Sequence, residues 1–306
     1  MTDVGSAVIP ILQLAISLVL APLVPGVINR VKAIVAGRRG QPLLQAYYDI
    51  AKLLSKGSVY SSTTSWIFRA GPSLGCAAAI AALAVLPWGA GSGLLSFEGD
   101  LILFAGLFGL MRFLTILAAL DTGSAFEGMG ASREAWFSAL AEPALLLGLA
   151  SLAGRAQSIS LAGVLAGPGI GGGRGAAVLL AAGAIFIVFL SENARIPVDD
   201  PTTHLELTMI HEVMVLDHSG VDLAYIQYGS SLKLWALGGL LVGILRPRTG
   251  LWQADLAIGL GGMACVGIAT GLVESFIARL RLTRVPQLLV AAVAMSALAL
   301  ALSLVR

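Results

Sequence analysis

The chain has 306 residues, 57% of them hydrophobic and only 12% charged, with a mean hydropathy of +0.90. A soluble domain carries roughly 25% charged residues, so this composition excludes one and indicates an integral membrane protein. The net charge of +2 is small and the basic residues are spread by topology rather than gathered in a patch, so it gives no sign of nucleic acid, and none is expected as a partner.

The N-terminal MTDVGSAVIP lacks the basic region and cleavage site of a signal peptide, so the first apolar run is expected to stay as a span. Runs long enough to cross about 30 Å of hydrocarbon occur near Ser6–Val27, Ala70–Trp88, Leu101–Leu120, Ala135–Ala153, Ala176–Leu190, Val221–Leu245, Leu256–Val273 and Pro286–Val305. They predict an all-α, polytopic membrane protein of about eight transmembrane helices, forming a single domain over residues 1–306. Cys76 and Cys265 are lone cysteines inside apolar runs, too few for the four thiolates of an iron–sulphur cluster.

Lys and Arg fall mainly on one side. Arg30, Lys32, Arg38, Arg39, Lys52, Lys56, Arg69, Arg133, Arg195, Arg279, Arg281 and Arg284 face one way; Arg155, Arg174, Arg246, Arg248 and Arg306 face the other. Twelve against five predicts cytoplasmic loops at about 28–69, 121–134, 191–220 and 274–285, with both termini outside.

In the first loop, Leu43, Leu44, Tyr47, Ile50, Ala51 and Leu54 recur at helical spacing, with Gln45, Asp49, Lys52 and Lys56 elsewhere around the turn. This predicts a short amphipathic helix on the membrane surface, either a solvated anchor or one wall of a docking surface. In the second loop, Glu142 lies about two turns into the following span and just before Pro143; Arg112 lies at similar depth in the preceding span. Either charge alone in lipid costs several kcal/mol, so a buried Arg112–Glu142 pair is expected, structural or part of a proton path.

The third loop, Ser191–Gly220, holds six of the 17 carboxylates and all three histidines, His204, His211 and His218. Pro197 and Pro201 predict an irregular segment, and Thr202 or Thr203 can cap a new helix running from His204. Such a helix would put the three histidines on one stripe, each about 10.5 Å from the next. That spacing is too wide for neighbouring histidines to share a metal ion. A ladder of titrating groups, Glu192, Asp199, Glu206, Glu212, Asp217, His204 and His211, is the alternative to a polar helix that merely covers a gap.

The run ENARIPVDDPTTHLELTMIHEVMVLDHSG resembles the pattern E-x-N-R-x-P-x-D-x-P-E-x-E-x-E…E-Y-S-G of the complex I subunit 1 family, matching in kind at Glu192, Arg195, Pro197, Asp199, Pro201, Glu206, Asp217, Ser219 and Gly220. Gln45, Asp49, Lys52 and Lys56 stand where that family's first loop has its own polar residues, and Arg133 and Glu142 fall at the spacing of its R…ISYE element. Thr202 and His204 replace two acids of the family's carboxylate run, three residues are inserted before Asp217, and the first loop is shortened to GRRGQP. These departures are similar to the branch found in group 4 membrane-bound nickel–iron hydrogenases, of the formate hydrogenlyase and hydrogenase-4 type, and they count against a quinone chamber.

The resemblance implies a membrane-anchor and proton-coupling subunit in the cell inner membrane, with no catalytic residue, metal or redox centre of its own. Its partners would be hydrogenase large and small subunits carrying nickel–iron and iron–sulphur centres, and antiporter-like membrane subunits. Arg38, Arg39, Gln45, Asp49, Lys52 and Lys56 would help dock the redox arm, the ladder together with Glu142 would carry protons, and Arg112, Arg133 and Arg195 would form structural ion pairs. The alternatives are the quinone-site subunit of a complex I-like NADH:quinone oxidoreductase and a free-standing ion or solute transporter.

Overall fold

The computed structural model describes residues 3–167, 175–199 and 209–304. Among these residues the regular structure is all helical, and seven helices are long and apolar enough to cross a membrane: α4 (Trp66–Val85), α5 (Asp100–Asp121), α6 (Ala125–Ala156), α8 (Gly175–Glu192), α9 (Gly220–Leu245), α10 (Trp252–Phe276) and a final segment ending in α11 (Val285–Leu304). An eighth span is a broken one, α1 (Asp3–Leu20) followed by α2 (Leu23–Val35) at a bend of 47°. Two short helices complete the set, α3 (Gln45–Leu54) before α4 and α7 (Leu161–Ala166) after α6.

The break in the first span follows from Pro22, which has no N–H to offer the Leu18 carbonyl one turn earlier. Two tyrosines satisfy the carbonyls exposed there. Tyr228 of α9 donates to Leu18 O at 2.9 Å, and Tyr47 of α3 donates to Val19 O at 2.5 Å. A backbone carbonyl left unpaired in lipid costs several kcal/mol, so these bonds fasten α3 and α9 to the break. Beyond it the helix runs on to Val35 and includes Arg30 and Lys32, which hydropathy alone assigns to a loop.

The core is built from small and medium side chains, with α4, α8 and α9 the most enclosed of the spans. Trp88, three residues beyond the end of α4, meets Trp235 of α9 edge-to-face at a centroid distance of 5.3 Å. Ser296 of α11 donates to Ala144 O of α6 at 2.7 Å, the kind of close approach that small residues permit between helices in lipid.

Two boundaries differ from the hydropathy reading in a way that shapes the site. Helix α6 starts at Ala125, ten residues before the predicted span, and runs through Pro143, so Arg133 and Glu134 stand on a helix rather than in a loop. Residues 209–219 are not helical beyond one 3-10 turn, Glu212–Val215, so the predicted histidine stripe is not formed by His211 and His218; His204 and Glu206 lie outside the described residues. Asp199 accepts the amides of Ile210 and His211 at 3.2 Å each, and this closes the segment into a loop. Gly130 of α6 then lies flush against it: a Cβ there would stand 2.3 Å from Val213 Cγ1 and 3.0 Å from Ile210 O.

Candidate functional site: a branched carboxylate network

Helix α8 has only 18 residues, and its last, Glu192, reaches Arg112 near the middle of α5. The chain then continues as an irregular segment, Asn193–Asp199, that stays largely buried. Non-helical backbone at such depth is tolerated only where protein surrounds it. Its turn is closed by Arg195 N–H donating to Leu190 O at 2.9 Å, with Ala194 in the left-handed region at φ 51°.

Arg112 is the hub. It is 8% exposed, its Nη2 meets Glu192 at 2.6 Å, its Nη1 meets Glu142, and its Nε lies 3.4 Å from Glu134. Lys233 of α9 approaches Glu192 from the other side at 3.6 Å. Glu134 extends the chain to His211 Nε2 at 3.2 Å, and His211 Nδ1 lies 3.5 Å from Asp199, which is itself paired with Arg279 at 2.9 Å. Four carboxylates and three permanent cations thus form one connected cluster, and a protonated His211 balances it. Burial works against the His211 imidazolium, but the carboxylates of Glu134 and Asp199 outweigh it and raise its pKa. Asp199 is held below the usual carboxylate range: burial opposes its charge, and the hydrogen bonds and charge of His211, with Arg279, prevail.

The network has an opening. Beside Arg112, α5 and α6 enclose a cavity of about 310 Å³ lined by Glu142 and Glu192 at its polar end and by Ile102, Phe108, Leu145 and Leu146 elsewhere. The Glu142 side chain is 48% exposed, against 6% for Glu134 and 5% for Glu192. Glu142 is therefore the member of the cluster that space reaches most readily.

A separate triad lies at the same end. Glu274, with no exposed side-chain surface, pairs with Lys32 of α2 at 2.8 Å and with Arg195 at 3.4 Å. It ties the broken first span and α10 to the segment that follows α8.

The predicted site residues distribute unevenly. Glu142, Glu192, Asp199, His211 and Arg112 come together, and Arg195 joins the triad. Arg133 donates to Met209 O at 2.9 Å and so braces the 209–219 loop against α6. Glu212 opens the 3-10 turn, while Asp217 is exposed, its amide donating to Glu127 at 3.0 Å. His218 stacks on Phe68 at 3.9 Å, well apart in role from His211, and burial lowers its pKa against the pull of Asp222 and Asp217. In the first loop Arg38, Arg39, Lys52 and Lys56 are exposed, and Gln45 donates to Asp49 at 2.9 Å across one turn of α3. That loop is anchored where Gly220, at φ 54°, meets Gly57: a Cβ on Gly220 would lie 2.4 Å from Gly57 O.

Glu134, Lys233, Arg279, Glu274 and Lys32 escaped the sequence reading as site residues. Lys233 carried the clearest signal, a lone base in the middle of a 26-residue membrane helix, where an ionisable group indicates a buried partner. Glu134 was hidden because charge interrupts the hydropathy of α6 while leaving the helix intact.

A family model described as NADH dehydrogenase matches residues 7–305. Formate hydrogenlyase subunit 4 of Escherichia coli K12 is 31% identical over 297 residues, covering 92% of this chain and 94% of that protein. Hydrogenase-4 component C of the same organism is 31% identical over 245 residues, covering 80% of this chain and 77% of its own length. A chain of the membrane-bound sulfane sulfur reductase, an archaeal respiratory membrane complex, superposes with a TM-score of 0.83 over 98% of this chain and 99% of its own, at 22% identity, which is a likeness of fold.

Proposed function

This chain belongs to the NADH dehydrogenase family, and from that premise we propose that it is the membrane-anchor and proton-coupling subunit of a group 4 nickel–iron hydrogenase or formate hydrogenlyase-type complex. It sits in the cell inner membrane with both termini outside and its charged end in the cytoplasm. That end receives a cluster-bearing small subunit and a nickel–iron large subunit, and the lateral faces of the bundle meet antiporter-like membrane subunits. The chain itself holds no redox centre.

The observation that carries this reading is the sharing of one guanidinium by three carboxylates. Arg112 cannot neutralise Glu134, Glu142 and Glu192 equally, so a proton on any one of them strengthens its hold on the other two. A change of charge in the docked redox arm acts first on the 209–219 loop, where His211 bridges Asp199 and Glu134. From Glu134 the bias passes to Arg112 and on to Glu142 beside the cavity, which gives a proton a place to enter or leave.

The test uses the intact complex in inverted membrane vesicles. Glu134→Gln and Glu142→Gln should each cut proton translocation per turnover several-fold while hydrogen production with an artificial electron donor persists. Full coupling in both variants would remove these carboxylates from the path.

A further inference from the structure

At the end of the bundle away from the carboxylate network, the C-termini of α6 and α9 meet α7 around a small cleft whose wall contains Arg155 and Arg246. Arg246 directly follows α9 and is 8% exposed. Its Nη1 donates to Asp255 O at 3.0 Å, but its Nε and Nη2 are buried without a hydrogen-bond partner among the described residues. The Asp255 carboxylate is engaged elsewhere, accepting from the amide and hydroxyl of Thr249 at 2.8 and 2.9 Å. A guanidinium at a helix C-terminus complements the helix dipole, yet that leaves two buried donors unused, a costly arrangement unless an acceptor completes it.

The position and size of the cleft specify the acceptor. Helix α9 has 26 residues, a length of about 39 Å, so it crosses the hydrocarbon and ends among the headgroups. The cleft holds about 30 Å³, room for an oxygen-sized group and not for a whole small molecule. Arg246 and the exposed Arg248 outnumber Asp255, which favours an anion over a zwitterion.

We propose that Arg155 and Arg246 bind the phosphate of an anionic glycerophospholipid in the leaflet opposite the carboxylate network, one phosphate oxygen filling the cleft while the acyl chains follow the bundle surface. Phosphate accepts from two guanidinium N–H groups at once, and Nε with Nη2 is such a pair. Burial and the neighbouring Arg248 pull the pKa of Arg246 below its ordinary value, Asp255 opposing them, and a bound anion would relieve both costs.

The intact complex, purified in mild detergent and partly delipidated, should retain phosphatidylglycerol or cardiolipin by mass spectrometry. Arg246→Gln and Arg155→Gln should each lower that retention several-fold, and Arg246→Lys should fall between. Added phosphatidylglycerol should raise the thermal midpoint of the wild-type complex and not that of Arg246→Gln, with phosphatidylethanolamine doing neither. If inorganic phosphate alone produces the full shift, the site is a phosphate site and the lipid source is overturned. Equal retention in wild type and both glutamine variants overturns the site itself, as does loss of a partner subunit from Arg246→Gln without any lipid effect, which would assign the cleft to a protein carboxylate. Because Arg155 is only partly buried, Arg155→Gln keeps the test open if Arg246→Gln fails to assemble.

Discussion

Arg112 of α5 holds Glu134 and Glu142 of α6 and Glu192 of α8 through one guanidinium. Removing one member of a buried ion pair costs about 3–5 kcal/mol, because the charge left behind has neither water nor partner. Arg112→Met leaves Glu192 with only Lys233 at 3.6 Å and Glu134 with only His211 at 3.2 Å, whereas Glu142 is half-exposed and suffers less. The variant should therefore unfold at a markedly lower temperature, and adding Glu192→Gln should restore part of the loss, a non-additivity measurable in a double-mutant cycle. His211 makes a different prediction. Its pKa is raised in the folded protein, so its contribution to stability is fully present below its unfolded value of about 6.5 and is lost as pH rises through the folded value. The stability gap between wild type and His211→Gln should accordingly be widest in mildly acidic buffer and close as the buffer becomes alkaline. A gap that widens with pH would show that the imidazole is held neutral.

At the scale of the element, the loop over residues 209–219 is shaped by its neighbours more than by its own propensities. It is pinned by Asp199 through two amides, braced by Arg133, and admitted to α6 only because position 130 has no side chain. Gly130→Ala improves the intrinsic helix propensity of α6 by about 1 kcal/mol, yet its methyl group would overlap Val213 and crowd the Ile210 carbonyl. The loop must then lift, carrying His211 away from Glu134. We expect Gly130→Ala to impair coupling as strongly as Glu134→Gln while leaving the helical content measured by circular dichroism unchanged. Normal coupling in this variant would mean that the contact between the loop and α6 is dispensable.

For the molecule as a whole, polarity is segregated by end. The carboxylate network, the Glu274 triad and the exposed bases of the first loop share one end, and the other carries the Arg155–Arg246 cleft. Arg38 and Arg39 lie exposed just past α2, with the Arg39 carbonyl held by Arg30 at 2.6 Å, so their side chains are free to meet an acidic partner surface. In the complex proposed above, reversing both to Glu should release the redox arm from membranes in sedimentation assays and leave the membrane subunits assembled, the more so at low ionic strength where charge attraction is least screened. Retention of the arm would place its docking elsewhere on that end.

The membrane class, the helical architecture, the eight-span count and the family resemblance were legible from residues alone, because a hydrocarbon layer imposes length and hydropathy on every span and a motif such as ENARIPVDD is local in the chain. The pairing of Arg112 with Glu142 was legible for a related reason: two opposite charges at matched depth in adjacent spans have few other partners. Only the tertiary structure recruits Glu134, Lys233 and Arg279 to the same cluster, since ion pairs between residues on different segments, here 22 to 80 positions apart, depend on which helices pack together. It also decides that the histidines do not share a stripe. Periodicity describes a helix standing alone, whereas the 209–219 segment gains more from Asp199, Arg133 and the face of α6 than from its own backbone ladder.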